Sequence, residues 1–252
     1  METIWIMYAF TVGLIFGSFA NVVIYRLPRG KSFVKPRSAC VSCGKRLTAL
    51  ELIPVFSWVV QWGRCRGCDV KISVRYPLVE LLCGGLFAGA VWHSPTLLAI
   101  PLAILGFVLV CVSFIDYDTQ EIPNGLVALG AAAAIVWVAL GGIEWLSAVL
   151  GVTAGALPLL IIDRIVILLV KKDGFGYGDV KLMAVVGAFL GWQMVTVAYF
   201  FAFVGGGIFA TYLLATGRAK RGGYMAFAPF LCSGTLLAFW VGDAFLRVIF
   251  LV

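Results

Sequence analysis

Two stretches of this sequence place carboxylates beside long apolar runs. Asp179 lies in Gly176-Tyr177-Gly178-Asp179-Val180-Lys181, where one run begins. Asp116 lies in Ile115-Asp116-Tyr117-Asp118-Thr119-Gln120-Glu121-Ile122-Pro123-Asn124, where another ends. A carboxylate at the edge of a hydrocarbon slab is costly, so it points to function and to a partner. Here each aspartate is the other's best partner. Two carboxyl groups about 3 Å apart cannot both ionise easily, and they share a proton. One then activates water while the other protonates or polarises a carbonyl, which is hydrolytic chemistry. The titration belongs to the pair, so neither is assigned as the base. Gly176 and Gly178 flank Tyr177 and let the backbone turn tightly. Lys181 stands near enough to bias the ionisation of Asp179, or to meet substrate or lipid phosphate.

A second chemistry resides in Cys40-Val41-Ser42-Cys43 and Cys65-Arg66-Gly67-Cys68. Two CxxC pairs at this separation have the pattern of a four-cysteine zinc site, slightly beyond the usual spacing. Each turn aims two thiolates at one point, and a closed tetrahedral site takes four. Lys45, Arg46, Arg64 and Arg66 help hold the thiols deprotonated. The competing reading is a pair of disulfides, or redox use of the thiols. A basic loop is retained in the reducing cytoplasm, which favours structural zinc. Four protein ligands leave no open position for catalysis. The other cysteines, Cys83, Cys111 and Cys232, fall in apolar runs and read as buried side chains.

The elements that position these groups follow from composition. The 252 residues are 62% hydrophobic and 12% charged, against about 45–50% and about 25% in soluble domains. Apolar runs of about 20 residues fit membrane helices rather than alternating barrel strands. The expected architecture is an all-α polytopic membrane protein of about eight transmembrane helices with a cytoplasmic zinc loop. The spans are expected near 4–25, 76–92, 96–114, 125–140, 145–170, 180–192, 194–216 and 225–252. The sixth is short enough to be tilted or broken. The N-terminus lacks a secretory cleavage pattern, so the first span is expected to be retained. Eleven of the 19 Lys and Arg fall between Arg26 and Arg75, three between Lys171 and Lys181, and three between Arg218 and Arg221. That asymmetry puts both termini outside and both aspartates on the cytoplasmic face. It also makes membrane lipid a partner. The basic residues carry no base-reading motif, which argues against nucleic acid.

The first and second spans carry polar groups of their own. Ser18, Asn21 and Tyr25 share one face of the first helix; they glue helices together or line a polar cavity. Glu80 lies about one turn into the second span, within reach of Arg75 and the helix N-terminus. It is equally a candidate for that cavity. Asp163-Arg164 sits in the cytoplasmic half of the fifth span and is expected to pair or snorkel. His93 lies in a turn and is given no role.

Four blocks in order give the chain a family resemblance: Gly17-Ser18-Phe19 with Asn21 and Arg26-Leu27-Pro28; the two CxxC pairs; Asp116 followed by Ile122-Pro123; and Gly176 to Lys181. The chain resembles the bacterial type IV prepilin peptidases over nearly its whole length. The resemblance implies an aspartic endopeptidase of the bacterial inner membrane, multi-pass, with its site facing the cytoplasm. Its substrates would be type IV prepilins or pseudopilins, cut after a glycine that ends a basic leader. Many members also methylate the new N-terminus with S-adenosylmethionine. By motif position Asp116 and Asp179 are the catalytic pair, Asp118 is a secondary candidate, and the four cysteines form the zinc module. Asn124 departs from the aspartate many relatives carry there. Asn21 and Glu80 are the candidates for the methyl-donor pocket, and Glu80, Glu121 and Asp118 for leader recognition. The implied organisation is a first membrane helix at 1–25, a zinc loop at 26–75 and a peptidase core at 76–252. The rivals are a membrane transporter, for which repeated halves are missing, and a redox protein built on the CxxC loop.

Overall fold

The computed structural model describes residues 2–94, 97–170, 176–217 and 225–250. Those residues are helical apart from short connections and the cysteine loop at 30–74, which holds one short helix, one 3-10 turn and two isolated β-bridges. The basic markers Lys171, Lys172, Arg218, Lys220 and Arg221, with Asp173, lie outside them. Eight α-helices follow in order: α1 (Glu2–Arg26), α2 (Phe56–Val60), α3 (Arg75–His93), α4 (Ala99–Thr119), α5 (Asn124–Ala139), α6 (Trp145–Val170), α7 (Tyr177–Ala215) and α8 (Ala228–Phe250). They divide into two compact units, Met1–Cys111 and Val112–Val252.

In the first unit α1 and α3 run antiparallel and meet through small residues. A Cβ on Gly13 would stand 2.6 Å from the Cys83 carbonyl oxygen, and one on Gly17 would stand 2.5 Å from the Glu80 Cα. One turn on, the Asn21 amide donates to the Tyr76 carbonyl at 3.1 Å. Where lipid offers no hydrophobic drive, close backbone approach and such hydrogen bonds hold helices together. Pro77 falls in the first turn of α3, where its missing N–H costs nothing.

In the second unit α6 and the start of α7 pack the same way. Gly151 lies against Gly187, and Gly155 against Met183, with no room for a Cβ on any of the three glycines. Tyr199, further along α7, also reaches α6 and donates its hydroxyl to the Gly155 carbonyl. On a straight helix Met183 and Tyr199 would stand about 24 Å apart. The chain therefore doubles back between them, at Gly191, whose φ of 77° and ψ of 172° are non-helical. Only glycine suits that point, because the left-handed backbone disfavours other residues and a Cβ would come 2.6 Å from Ser147 Oγ. α8 packs on the second half of α7 through Gly234 and Gly242, which face Ala198 and Met194.

Among the described residues five helices are long and apolar enough to cross a membrane: Thr3–Arg29, Ala99–Thr119, Trp145–Leu169, Tyr177–Ala215 and Ala228–Val248. Asn124–Ala139 is apolar but shorter. The count of eight is not reached on this criterion for a physical reason. α3 begins with charge, α5 is short, and α7 holds two helices joined at Gly191 with no intervening loop.

Candidate active site and metal centre

Asp116 sits one turn before the C-terminus of α4, which closes with Gln120 donating its N–H to the Asp116 carbonyl at 2.8 Å. Its side chain is buried. The Ala228 N–H donates to Asp116 Oδ2 at 3.0 Å, and the Phe227 N–H is also directed at this carboxyl. These are amides at the N-terminus of α8, which lack partners within their own helix. A carboxylate is a natural acceptor there. The same bonds orient Asp116 and dock α8 against α4.

Asp179 lies in the first turn of α7, with its N–H donated to the Gly176 carbonyl at 3.0 Å. Its Oδ1 is buried and has no hydrogen-bond partner among the described residues. The Asp116 and Asp179 carboxyls are within electrostatic reach of each other. Buried polar atoms are nearly always satisfied, so an orphan oxygen beside a second carboxyl has the character of a site awaiting a water or a substrate.

The glycines of the motif are not equivalent. A Cβ on Gly178 would stand 2.8 Å from Ile122 Cβ, whereas among the described residues one on Gly176 would meet nothing nearer than Asp179 Oδ2 at 3.7 Å. Gly178 therefore lets the Ile122 side chain close onto its backbone, joining the two aspartate-bearing segments. Lys181 Nζ donates to Asn124 Oδ1 at 3.0 Å, and Arg164 Nη2 donates to the Tyr177 hydroxyl at 3.0 Å. Asp163 is buried. Asp118 is exposed and, two residues along the helix, points away from the face of Asp116.

Sequence reasoning had no means of finding the Ala228 and Phe227 amides, since backbone donors carry no residue signature; Pro229, a residue common in first helical turns, was the one hint. It also passed over Tyr199, and it read Cys232 only as a buried apolar side chain. Both are buried and within electrostatic reach of Asp179, and the Cys232 thiol pairs with Ser113.

In the first unit, Asn21 is engaged with the Gly17 and Tyr76 carbonyls. Glu80 is buried. It accepts the Val55 N–H at 2.7 Å and bonds to Ser18. The polar face expected on α1 thus ties α1, α3 and the loop together.

The four cysteines converge. Their sulfurs all lie within 4.8 Å of one another, and Cys40 Sγ is 3.8 Å from Cys68 Sγ. A tetrahedron with Zn–S bonds of about 2.3 Å has sulfurs about 3.8 Å apart, so this donor set fits zinc. None of the four is in a disulfide. Two matching turns present them. The Cys40 N–H donates to the Lys45 carbonyl and the Gly44 N–H to the Cys40 carbonyl; the Cys65 N–H donates to the Val70 carbonyl and the Asp69 N–H to the Cys65 carbonyl. Gly44 and Asp69 take the left-handed position in each, which Asp tolerates better than most residues.

Surrounding groups adjust the sulfurs. The Cys43 and Ser42 amides bring the Cys40 thiol down to about 6. The Val70 amide favours the Cys68 thiolate, but burial and the neighbouring sulfurs push that thiol up to about 11. Lys45 extends over Gly67 and pairs with Glu51 Oε1 at 2.8 Å. That pair, with the Thr48 amide, holds the Glu51 carboxyl down to about 2. Thr48 and Glu51 form a reciprocal cap on the turn between the two cysteine pairs.

Comparison with known proteins gives a consistent result. Residues 11–94 match the Bacterial Peptidase A24 N-terminal domain, and residues 102–211 match the Type IV leader peptidase family. The chain is 34% identical to a Prepilin leader peptidase/N-methyltransferase of Pseudomonas putida, across 95% of this chain and 91% of the relative. It is 35% identical to one of Bacillus subtilis (strain 168), across 93% and 94%. It is 39% identical to one of Myxococcus xanthus (strain DK1622), across 84% of this chain and 64% of that longer relative. No solved structure matches.

Proposed function

The chain belongs to the type IV leader peptidase family, and from that premise we propose that it is a membrane aspartic endopeptidase that removes the leader of prepilins or pseudopilins, with Asp116 and Asp179 as its catalytic pair. The observation that carries the reading is the pairing of two unlike carboxyls. Asp116 is pinned by the α8 amides, and Asp179 keeps an unpartnered Oδ1 beside it. One carboxylate takes a proton from water as its oxygen attacks the scissile carbonyl. The other carboxyl donates its proton to the carbonyl oxygen. On collapse one hydroxyl of the gem-diol returns its proton to the second carboxylate, the C–N bond breaks, and the proton taken from water passes to the leaving amine. Asp179, bonded to the Gly176 amide but with Oδ1 unpartnered among the described residues, is suited to hold the water; Asp116 holds the geometry.

Eight spans are the topology that suits this reading. α3, α5 and both halves of α7 cross with the four other helices, both termini lie outside, and both aspartates face the cytoplasm of the bacterial inner membrane. The organisation is then a first helix at 1–25, a zinc loop at 26–75 and the peptidase core at 76–252. The substrate's apolar helix would lie in the bilayer with its glycine junction at the aspartates. Asp118 and Glu121 are exposed and suit a basic leader. Glu80 is already bonded within its own unit. Zinc, held by Cys40, Cys43, Cys65 and Cys68, would fix the loop without touching the reaction. Methylation of the new N-terminus from S-adenosylmethionine rests on the relatives' name. Asn21 and Glu80, its candidate contacts, already have protein partners.

The test is cleavage of a prepilin-like substrate by purified wild type, Asp116→Asn and Asp179→Asn, with the product's N-terminal mass recorded. Loss of cleavage in both folded variants is expected, with a methyl mass shift that depends on S-adenosylmethionine in the wild type. Normal cutting by either variant removes the two-carboxylate mechanism.

A further inference from the structure

We propose that residues 54–62 of the cysteine loop form an interfacial membrane anchor, bedding Phe56, Val59 and Trp62 into the headgroup boundary of the bilayer crossed by α1. This rests on reading α1 and α3 as membrane helices. It is independent of the carboxylate mechanism.

The segment carries apolar side chains that the first unit does not cover. Trp62 is 88% exposed and Phe56 61%, with Val59 and Leu50 exposed beside them. A patch of this kind on a loop marks a contact surface. Its position identifies the contact. The Val55 N–H is held by Glu80, and Glu80 is level with Gly17 of α1. Gly17 lies about 13 Å along the helix from Arg26, where α1 ends. The loop thus dips back along the body of a helix apolar enough to cross a membrane instead of standing clear of it.

The pose is built into the chain. Val55 (φ 61°, ψ −53°) and Trp62 (φ 53°) bracket α2 with positive φ, which a β-branched residue adopts only when its surroundings impose it. Trp58 Nε1 donates to the Ile72 carbonyl at 3.1 Å, and the Ile72 N–H to the Gly63 carbonyl at 2.7 Å. These bonds turn Trp58 inward and leave Phe56, Val59 and Trp62 outward. Tryptophan is enriched at membrane interfaces. The charge is complementary as well. Residues 26–75 hold eleven Lys and Arg against Glu51 and Asp69 alone, and Arg66 and Lys71 just beyond the segment are exposed, a balance that suits anionic headgroups.

The experiment places p-benzoylphenylalanine singly at Phe56, Trp62, Val41 and Ile15 in the full-length protein. The protein is reconstituted in discs of phosphatidylethanolamine and phosphatidylglycerol and irradiated, with and without a prepilin-like peptide. Ile15, exposed on α1, is the lipid reference; Val41, exposed on the first cysteine turn, is the water reference. Lipid adducts at 56 and 62 approaching those at Ile15 are expected, with few at Val41. Reaction at 56 and 62 that matches Val41, or that goes to this chain or the peptide, overturns the anchor. Tryptophan quenching by brominated lipid checks the native side chain: Trp62→Phe should lose a measurable share of the quenchable signal, and an unchanged signal overturns the proposal.

Discussion

The cysteine cluster and the carboxylate pair solve the problem of placing reactive groups in opposite ways. The cluster is local. Each CxxC turn is closed by its own backbone bonds, so eight or so residues preform half of a site and only two halves must meet. The pair is non-local. Asp116 comes from the end of α4, Asp179 from the start of α7, and the donors that hold Asp116 from the start of α8. The first site would draw its stability from a bound metal; the second is held by hydrogen bonds and close contacts between helices. The difference implies that each can be broken without the other.

Metal removal is the largest expected effect. Binding of structural zinc is worth about 10–16 kcal/mol in zinc-finger peptides, and that free energy is folding free energy. Chelation, or Cys65→Ser, should abolish hydrogen-exchange protection across residues 39–71 while protection in α6 and α7 stays. If the second unit loses protection to the same extent, the two sites are not independent and the comparison fails. Next is the carboxylate pair. Asp179→Asn should lower kcat by about 10²–10⁴-fold, the usual worth of a positioned acid or base, with the protein's zinc content unchanged. A smaller effect belongs to the packing beneath it. Gly187→Ala drives a methyl into the Gly151 backbone, and overpacking of this kind costs about 1–3 kcal/mol. Melting in detergent should fall, and cleavage with it, since α7 carries Asp179; an unshifted transition would mean that α6 and α7 are not in contact at this point.

This asymmetry also explains what was legible in the sequence. The CxxC spacing states the metal geometry almost directly, because the turn is local and its residue types are specific. The aspartates were legible as charges at the ends of apolar runs. Their surroundings were not. The Ala228 and Phe227 amides are backbone, and Tyr199 joins the site only because α7 reverses at Gly191. The boundary expected between the spans 180–192 and 194–216 falls beside that reversal, but nothing in the sequence singles out Gly191 as its pivot or brings Tyr199 back to α6. Asn21 and Glu80 were read correctly as polar groups within helices, but whether such groups line a cavity or bind neighbours depends on which residue faces them across α1 and α3. Lys181 was expected beside Asp179, yet its four-carbon stem carries it to Asn124 instead.

The smallest effects lie within the Gly176-Tyr177-Gly178 turn, where the two glycines invite equal treatment and the structure separates them. Gly176 has φ −71° and ψ 141°, a backbone open to any residue, and among the described residues nothing crowds its Cβ position. Gly178 faces Ile122 Cβ at 2.8 Å, an atom fixed to the backbone that cannot rotate away. Gly178→Ala should therefore push the aspartate-bearing turn off the 122–123 segment and lower kcat, with KM less affected, because the geometry of Asp179 shifts while the substrate's apolar helix is bound elsewhere. Small misplacements of reacting groups are costly even when no group is lost. Gly176→Ala should leave kcat within about twofold, and it should not lower stability, since a Gly to Ala change in compatible backbone stabilises by about 0.4–1 kcal/mol. Equal loss of cleavage in both variants would mean that Gly176 meets the substrate directly, and the carboxylate site would then include the turn itself.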